Sequence, residues 1–83
     1  MNILIVDDEP LARSRLRTLL GDCTDPQVEI VGEAANAVQA MELLQHQRFD
    51  VALLDIHMPG QDGLSLAHAL QSLPQPPAVV FVT

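Results

Sequence analysis

The sequence contains no lysine: its four basic residues are all arginines, set against eleven acidic residues. The formal charge of −7 argues against general attraction to nucleic acid or to an anionic lipid surface. Cys23 is the only cysteine, which excludes an intrachain disulfide and a thiolate metal cluster. We interpret it as a free thiol in or near a loop.

Long apolar runs are absent as well. No run approaches the roughly 20 residues of a membrane span, and the short run after Met1 lacks the basic flank of a signal peptide. The chain shows no repeat, low-complexity tract or linker, and 83 residues allow at most one domain. We therefore expect a soluble, cytoplasmic protein with no membrane partner.

The sequence does contain a regular alternation of strand-like and helix-like segments. Continuous apolar runs predict four strands, at residues 2–6, 28–31, 49–54 and 78–82. Apolar residues at helical spacing predict three helices, one from Pro10 to about Gly21, one capped by Asn36, and one over residues 64–73. The apolar residues that repeat at helical spacing in the first helix are Ala12, Leu16, Leu19 and Leu20.

The order βαβαβαβ with buried strands predicts an α/β fold: a flavodoxin-like, doubly wound parallel sheet with helices on both faces and right-handed crossovers. For this fold we expect the strand order 2-1-3-4. A parallel domain seldom finishes on an apolar strand with no covering helix. We therefore expect residues 1–83 to be the N-terminal (βα)3β portion of a larger domain.

Aspartates stand where the first and third predicted strands end. Asp7 and Asp8 follow the first strand, and Asp55 follows the third. In the order 2-1-3-4 these two strands are neighbours at the point where strand order reverses, so the three carboxylates are expected to converge. Hard oxygen ligands with no Cys or His partner favour Mg²⁺ or Mn²⁺. Asp55, which a loop follows, is the candidate nucleophile towards phosphorus.

The residues around these aspartates resemble the receiver domains of bacterial response regulators, which act in two-component signalling. The resemblance runs through all 83 residues. It rests on ILIVDDEP at 3–10, DVALLDIHMPG at 50–60, Asp62-Gly63, and Thr83 at the end of the fourth strand. It implies a five-stranded (βα)5 fold and a signalling function rather than an enzyme.

The resemblance also implies a role for each site residue. Asp55 would accept a phosphoryl group from a partner histidine kinase. Asp8 would bind Mg²⁺ directly, and Asp7 would do so largely through water. The main-chain carbonyl of His57 would be a further metal ligand, and the hydroxyl of Thr83 would be the switch that turns inward to the phosphoryl oxygens.

The segment DEPLAR at 8–13 is most similar to the subfamily whose output is a LytTR-type DNA-binding domain. No output domain is present in residues 1–83, so DNA contact is expected only through a domain outside them. Receiver domains continue with a fourth helix, a fifth strand ending in a lysine, and a fifth helix. Without that lysine's charge opposite the metal, we expect weak or absent phosphorylation of these residues by themselves, even where metal binding survives.

The same resemblance predicts exposed surfaces. The fourth strand would have an unpaired edge, and apolar area would lie uncovered beside the first helix. Such edges and patches favour association. The alternative function is therefore a receiver portion that no longer signals and that forms a dimer or higher oligomer through these surfaces.

Two rival chemistries fit the residues poorly. A phosphatase of the haloacid dehalogenase class requires a second aspartate two residues after the first, where this chain has His57 after Asp55 and Glu9 after Asp7. An FMN binder of the flavodoxin type requires hydroxyls and glycines after the first strand. Here that position holds Asp7, Asp8 and Glu9, which would repel phosphate.

Charged residues at the start of the first helix are open to more than one interpretation. Arg13 and Arg17 are i, i+4 neighbours, and they are either kinase contacts or a solvated helix face. Glu9 is expected to favour the helix N-terminus through the helix dipole rather than to add charge to the metal site.

Overall fold

The computed structural model describes residues 1–21, 29–55 and 63–82, in which four strands and three helices alternate. The strands are β1 (Asn2–Val6), β2 (Glu29–Ala34), β3 (Val51–Leu54) and β4 (Ala78–Phe81). The helices are α1 (Pro10–Gly21), α2 (Ala37–His46) and α3 (Gly63–Leu70). Within these ranges, none of the helices is long and apolar enough to cross a membrane.

The sheet is parallel throughout, and its order β2-β1-β3-β4 confirms the predicted order. Val6 pairs with Ala34 on one side and with Leu54 on the other. The ladder continues one step further, because the Asp7 N–H donates to Ala34 O (3.0 Å) and the Asp55 N–H donates to Val6 O (3.0 Å). The register therefore places Asp7 and Asp55 at the same edge of the sheet.

The main core lies between the sheet and the helices α2 and α3. Alternation along each strand sends every second side chain to this face. Phe49 fills the space above Gly32, where a Cβ atom would stand 3.0 Å from the ring Cζ. The fully buried members of this core are Leu4, Val6, Ala34, Ala37, Ala40, Phe49, Ala52, Leu54, Leu66 and Leu70.

The opposite face of the sheet, under α1, is filled less completely. Ile3 and Ile5 are buried there, but α1 contributes no fully buried residue. Leu19, one of the four apolar residues at helical spacing in α1, is 68% exposed. Leu16 and Leu20 follow the i, i+4 row of α1 and are half-buried, whereas Leu19 lies to one side of that row.

Several strand and helix bounds differ from those predicted from the side-chain pattern. β2 continues past residue 31 because Gly32 and Glu33 extend the ladder with β1, while Val28 lies outside the described residues. β3 begins at Val51, two residues late, and β4 ends one residue early at Phe81. α3 ends at Leu70 instead of residue 73, because the next three N–H groups bond to carbonyls three residues back, in a tighter turn.

The start of α2 confirms its predicted cap. The Asn36 side chain accepts a hydrogen bond from the Gln39 N–H (2.8 Å). In return, Gln39 Oε1 accepts from the Ala35 N–H (2.8 Å). The first bond satisfies a main-chain donor that the first helical turn leaves without an intrahelical acceptor, and the second satisfies the N–H of the residue before the cap.

Candidate metal centre

Strands β1 and β3 bring three carboxylates to one edge of the sheet. One ligand oxygen each from Asp7, Asp8 and Asp55 lies within 4.8 Å of the others. Asp7 is 6% exposed, and Asp8 and Asp55 are half-buried. Three like charges at this separation repel one another unless a cation lies among them.

The donor set suits a small, hard cation. Mg²⁺ holds oxygens at about 2.1 Å, so opposite ligands in its octahedron stand roughly 4.2 Å apart. Adjacent ligands stand roughly 3.0 Å apart. Three oxygens within 4.8 Å of one another could therefore converge on one ion by adjusting their side chains, and waters would complete the shell. Among the described residues no Cys or His joins the cluster, which disfavours Zn²⁺.

The turn between β1 and α1 fixes the side chain of Asp7. Its Oδ1 accepts a hydrogen bond from the Glu9 N–H (2.9 Å), which closes an Asx turn. The Glu9 carbonyl then accepts from the Arg13 N–H (3.1 Å), the first bond of α1. The same short segment therefore starts the helix and orients the most buried acid of the cluster.

Arg13 reaches back from α1 to this turn. Its Nη1 donates to the main-chain oxygen of Asp7 (2.5 Å), and its Nε lies 3.5 Å from Glu33 Oε1. Its side chain is only 18% exposed, so a solvated helix face is the wrong interpretation for this residue. Arg17 is 51% exposed and pairs with Glu33 Oε2 at 2.5 Å. The interpretation of either arginine as a kinase contact stays a prediction.

Sequence reasoning did not find the contact between Arg13 and Asp7. A signal was available, because helical side chains lean towards the helix N-terminus and Arg13 lies one turn from it. The spacing of six residues alone does not reveal which of the three arginines on α1 turns back.

A cavity of about 650 Å³ opens beside the carboxylates, between α1 and the end of β4. Its lining combines acidic and apolar residues and includes Arg15. Its lining residues are Asp7, Glu9, Ala12, Arg15, Leu16, Asp55, Phe81 and Val82. The candidate site is thus open to a ligand from the α1 side.

Two of the predicted site residues, His57 and Thr83, lie outside the described residues. Their roles stay predictions. The ladder nevertheless reaches the residue before Thr83, because the Val82 N–H donates to Leu54 O (2.9 Å).

The model of one protein family, the response regulator receiver domain, matches residues 3–83. The chain belongs to this family. As a receiver domain it has the α/β fold that its sequence predicted, and the likeness to regulators of the LytTR type is also confirmed by its relatives.

Those relatives include the Positive alginate biosynthesis regulatory protein of Pseudomonas aeruginosa, 48% identical over 83 residues, and the Sensory transduction protein LytT of Enterococcus faecalis, 45% identical. The alignments cover 100% of this chain but 33% and 34% of those proteins, so the chain spans about a third of their length. The solved response regulatory domain of protein mrkE from Klebsiella pneumoniae is similar with a TM-score of 0.84 and 37% identity, over 98% of this chain and 65% of that one.

Proposed function

We propose that this receiver domain is a phosphoacceptor, in which Asp55 takes a phosphoryl group from a histidine kinase in the presence of Mg²⁺. The convergence of three carboxylates at the ends of β1 and β3 is the observation that carries the proposal. Asp8, Asp55 and the main-chain carbonyl of His57 would hold the metal directly, and Asp7 would do so largely through water.

Asp55 has the position that a nucleophile requires. It follows β3 directly, and its N–H donates a hydrogen bond to Val6 O (3.0 Å). Asp55 also lines the open cavity. One of its carboxylate oxygens forms a bond to phosphorus while the P–N bond to the kinase histidine breaks, and the departing ring nitrogen keeps the electron pair. When bound, Mg²⁺ neutralises charge on the phosphoryl oxygens. The Thr83 hydroxyl would then donate to one of those oxygens.

The proposed consequence is cytoplasmic control of a separate output domain, with transcription as the regulated process. The acidic charge of −7 makes these residues unsuited to bind DNA themselves. In the relatives, about two thirds of the protein lies outside the part matched here, which is ample for such a domain.

Beryllofluoride, which mimics a phosphoryl group on a carboxylate, tests this proposal. We expect Mg²⁺ to shift the amide signals of Asp8 and Asp55 in NMR spectra, and excess beryllofluoride to add a bound fluorine signal. Excess is needed because the sequence contains no lysine to face the metal. Asp55→Asn should abolish the fluorine signal and keep the fold. No Mg²⁺ shift at Asp8 and Asp55, or a bound fluorine signal that persists in Asp55→Asn, would contradict the proposal. A Mg²⁺ response with no beryllofluoride response would instead favour the alternative function, a receiver portion that binds metal but no longer signals.

The alternative function, self-association without signalling, is favoured by the edge of the sheet. In the described sheet β4 pairs only with β3, and its Val80 and Phe81 are 46% and 40% exposed. On α1, Leu11 and Leu19 are exposed as well, at 71% and 68%. The apolar edge strand and the exposed leucines of α1 are two surfaces on which a second copy would bury area.

Sedimentation velocity tests this alternative. We expect a dimer or larger species at micromolar concentration, and Val80→Lys should shift it to monomer because a charge on an edge strand blocks pairing. Val38→Lys is the matched control, since Val38 is 74% exposed on α2, away from β4. A compact monomer for the unsubstituted chain at this concentration would rule the alternative out.

A further inference from the structure

Arg13 joins the end of β1 to the end of β2 through one guanidinium group. Nη1 donates to the Asp7 carbonyl at 2.5 Å, and Nε lies 3.5 Å from Glu33 in β2. The side chain is mostly buried, at 18% exposure, which limits the number of rotamers it can adopt. The contact with Asp7 is therefore a fixed part of the β1–α1 turn.

Asp7 is held at three points. Its N–H donates to Ala34 O (3.0 Å), and its Oδ1 accepts from the Glu9 N–H (2.9 Å). The third point is the main-chain oxygen, which accepts from Arg13. That oxygen belongs to the planar peptide group that joins Asp7 to Asp8. A hydrogen bond to it therefore restricts the orientation of this peptide group, which contains the Cα atoms of both aspartates.

We infer that Arg13 is a positioning residue for the metal site, acting through the Asp7–Asp8 peptide rather than by touching a ligand. The inference rests on the proposed function, because it concerns the same carboxylates. A group that orients metal ligands typically raises metal affinity by about 10- to 100-fold, and Arg13 has the contact that such a group requires.

The direction in which Mg²⁺ affinity changes when Arg13 is replaced distinguishes a positioning role from a purely electrostatic effect. A cation beside three carboxylates disfavours the binding of a second cation, so by electrostatics alone the loss of Arg13 would tighten Mg²⁺ binding. A loss of positioning weakens it. Glu33, which pairs with both Arg13 and Arg17, makes Arg17 the matched comparison: a neighbouring cation that shares the same acid.

Mg²⁺ titrations of Arg13→Gln, Arg13→Lys and Arg17→Gln, followed by calorimetry and by the amide signals of Asp8 and Glu9, test the inference. We expect Arg13→Gln to weaken binding by about 10-fold or more. Arg13→Lys should weaken it less, because it keeps one donor for the Asp7 carbonyl. Arg17→Gln should bind as tightly as the unsubstituted chain or slightly more tightly. In the metal-free state, only the Arg13 variants should shift the Asp8 and Glu9 amides.

Equal or tighter binding by Arg13→Gln relative to Arg17→Gln would overturn the positioning role. Circular dichroism establishes that each variant is folded, and Arg13→Lys provides the comparison if Arg13→Gln unfolds. If the unsubstituted chain itself fails to bind Mg²⁺, the proposed metal site is wrong. If it binds and the two glutamine variants agree, only the role of Arg13 is wrong.

Discussion

Asp8→Asn is expected to weaken Mg²⁺ binding by at least about 100-fold while making the metal-free protein more stable. Replacing a residue that only hydrogen-bonds to a metal ligand typically weakens metal binding by about 10- to 100-fold. The loss of a charged ligand itself should therefore weaken Mg²⁺ binding by at least the upper value. In the metal-free state the same change removes one of three repelling carboxylates. Calorimetry measures the affinity, and thermal unfolding in the presence of a chelator measures the stability.

The control for this variant is Glu42→Gln, which removes an equal charge from an exposed position on α2. It should leave the affinity unchanged and the thermal midpoint within a degree or so, whereas each kcal/mol of relieved repulsion raises the midpoint of a domain this size by about 4–8 °C. A fall in stability for metal-free Asp8→Asn would show that Asp8 supports the fold, and would contradict its assignment to a metal site.

Leu54→Ala is expected to destabilise the domain by about 3–5 kcal/mol, the cost of a cavity at a fully packed leucine. Leu54 is 0% exposed and lies in the core that α3 covers. A domain of this size typically has a free energy of unfolding of about 4–12 kcal/mol, so this one change removes a large part of it. Urea unfolding followed by circular dichroism gives the difference.

Leu64→Ala makes the same chemical change at a position that is 59% exposed on α3, and it should cost less than about 1 kcal/mol. Leu54 also precedes Asp55 directly, so its loss should weaken Mg²⁺ binding, whereas Leu64→Ala should not. Similar unfolding free energies for the two variants would contradict the description of the core.

The elements that the sequence predicted best are those in which nearly every residue is buried. β1 is buried almost throughout, and its continuous apolar run gave both of its bounds correctly. β2 was predicted too short because Gly32 and Glu33 are poor strand residues. Pairing with β1 and the contacts of Glu33 with Arg13 and Arg17 hold them in the ladder, and none of these is local in sequence.

The candidate site was likewise predicted only in part. Convergence of Asp7, Asp8 and Asp55 followed from strand order, because parallel neighbours end at one edge. The contact of Arg13 with Asp7 depends on the angle at which α1 leaves the turn and on one rotamer, and residue spacing determines neither. The exposure of Leu19 likewise depends on which elements pack beside α1. Apolar residues at helical spacing indicate which face of a helix is apolar, but they do not show which other element packs against that face.

A Mg²⁺ titration of the isotopically labelled chain, read at every assigned amide, tests the central claim most directly. We expect one saturable site, with amide shifts concentrated at Asp7, Asp8 and Asp55 and absent from exposed acids such as Glu29 and Glu42. Small, non-saturating shifts spread over all the acidic residues would show only diffuse attraction of a cation to a chain of charge −7, and would contradict a metal site at the strand ends.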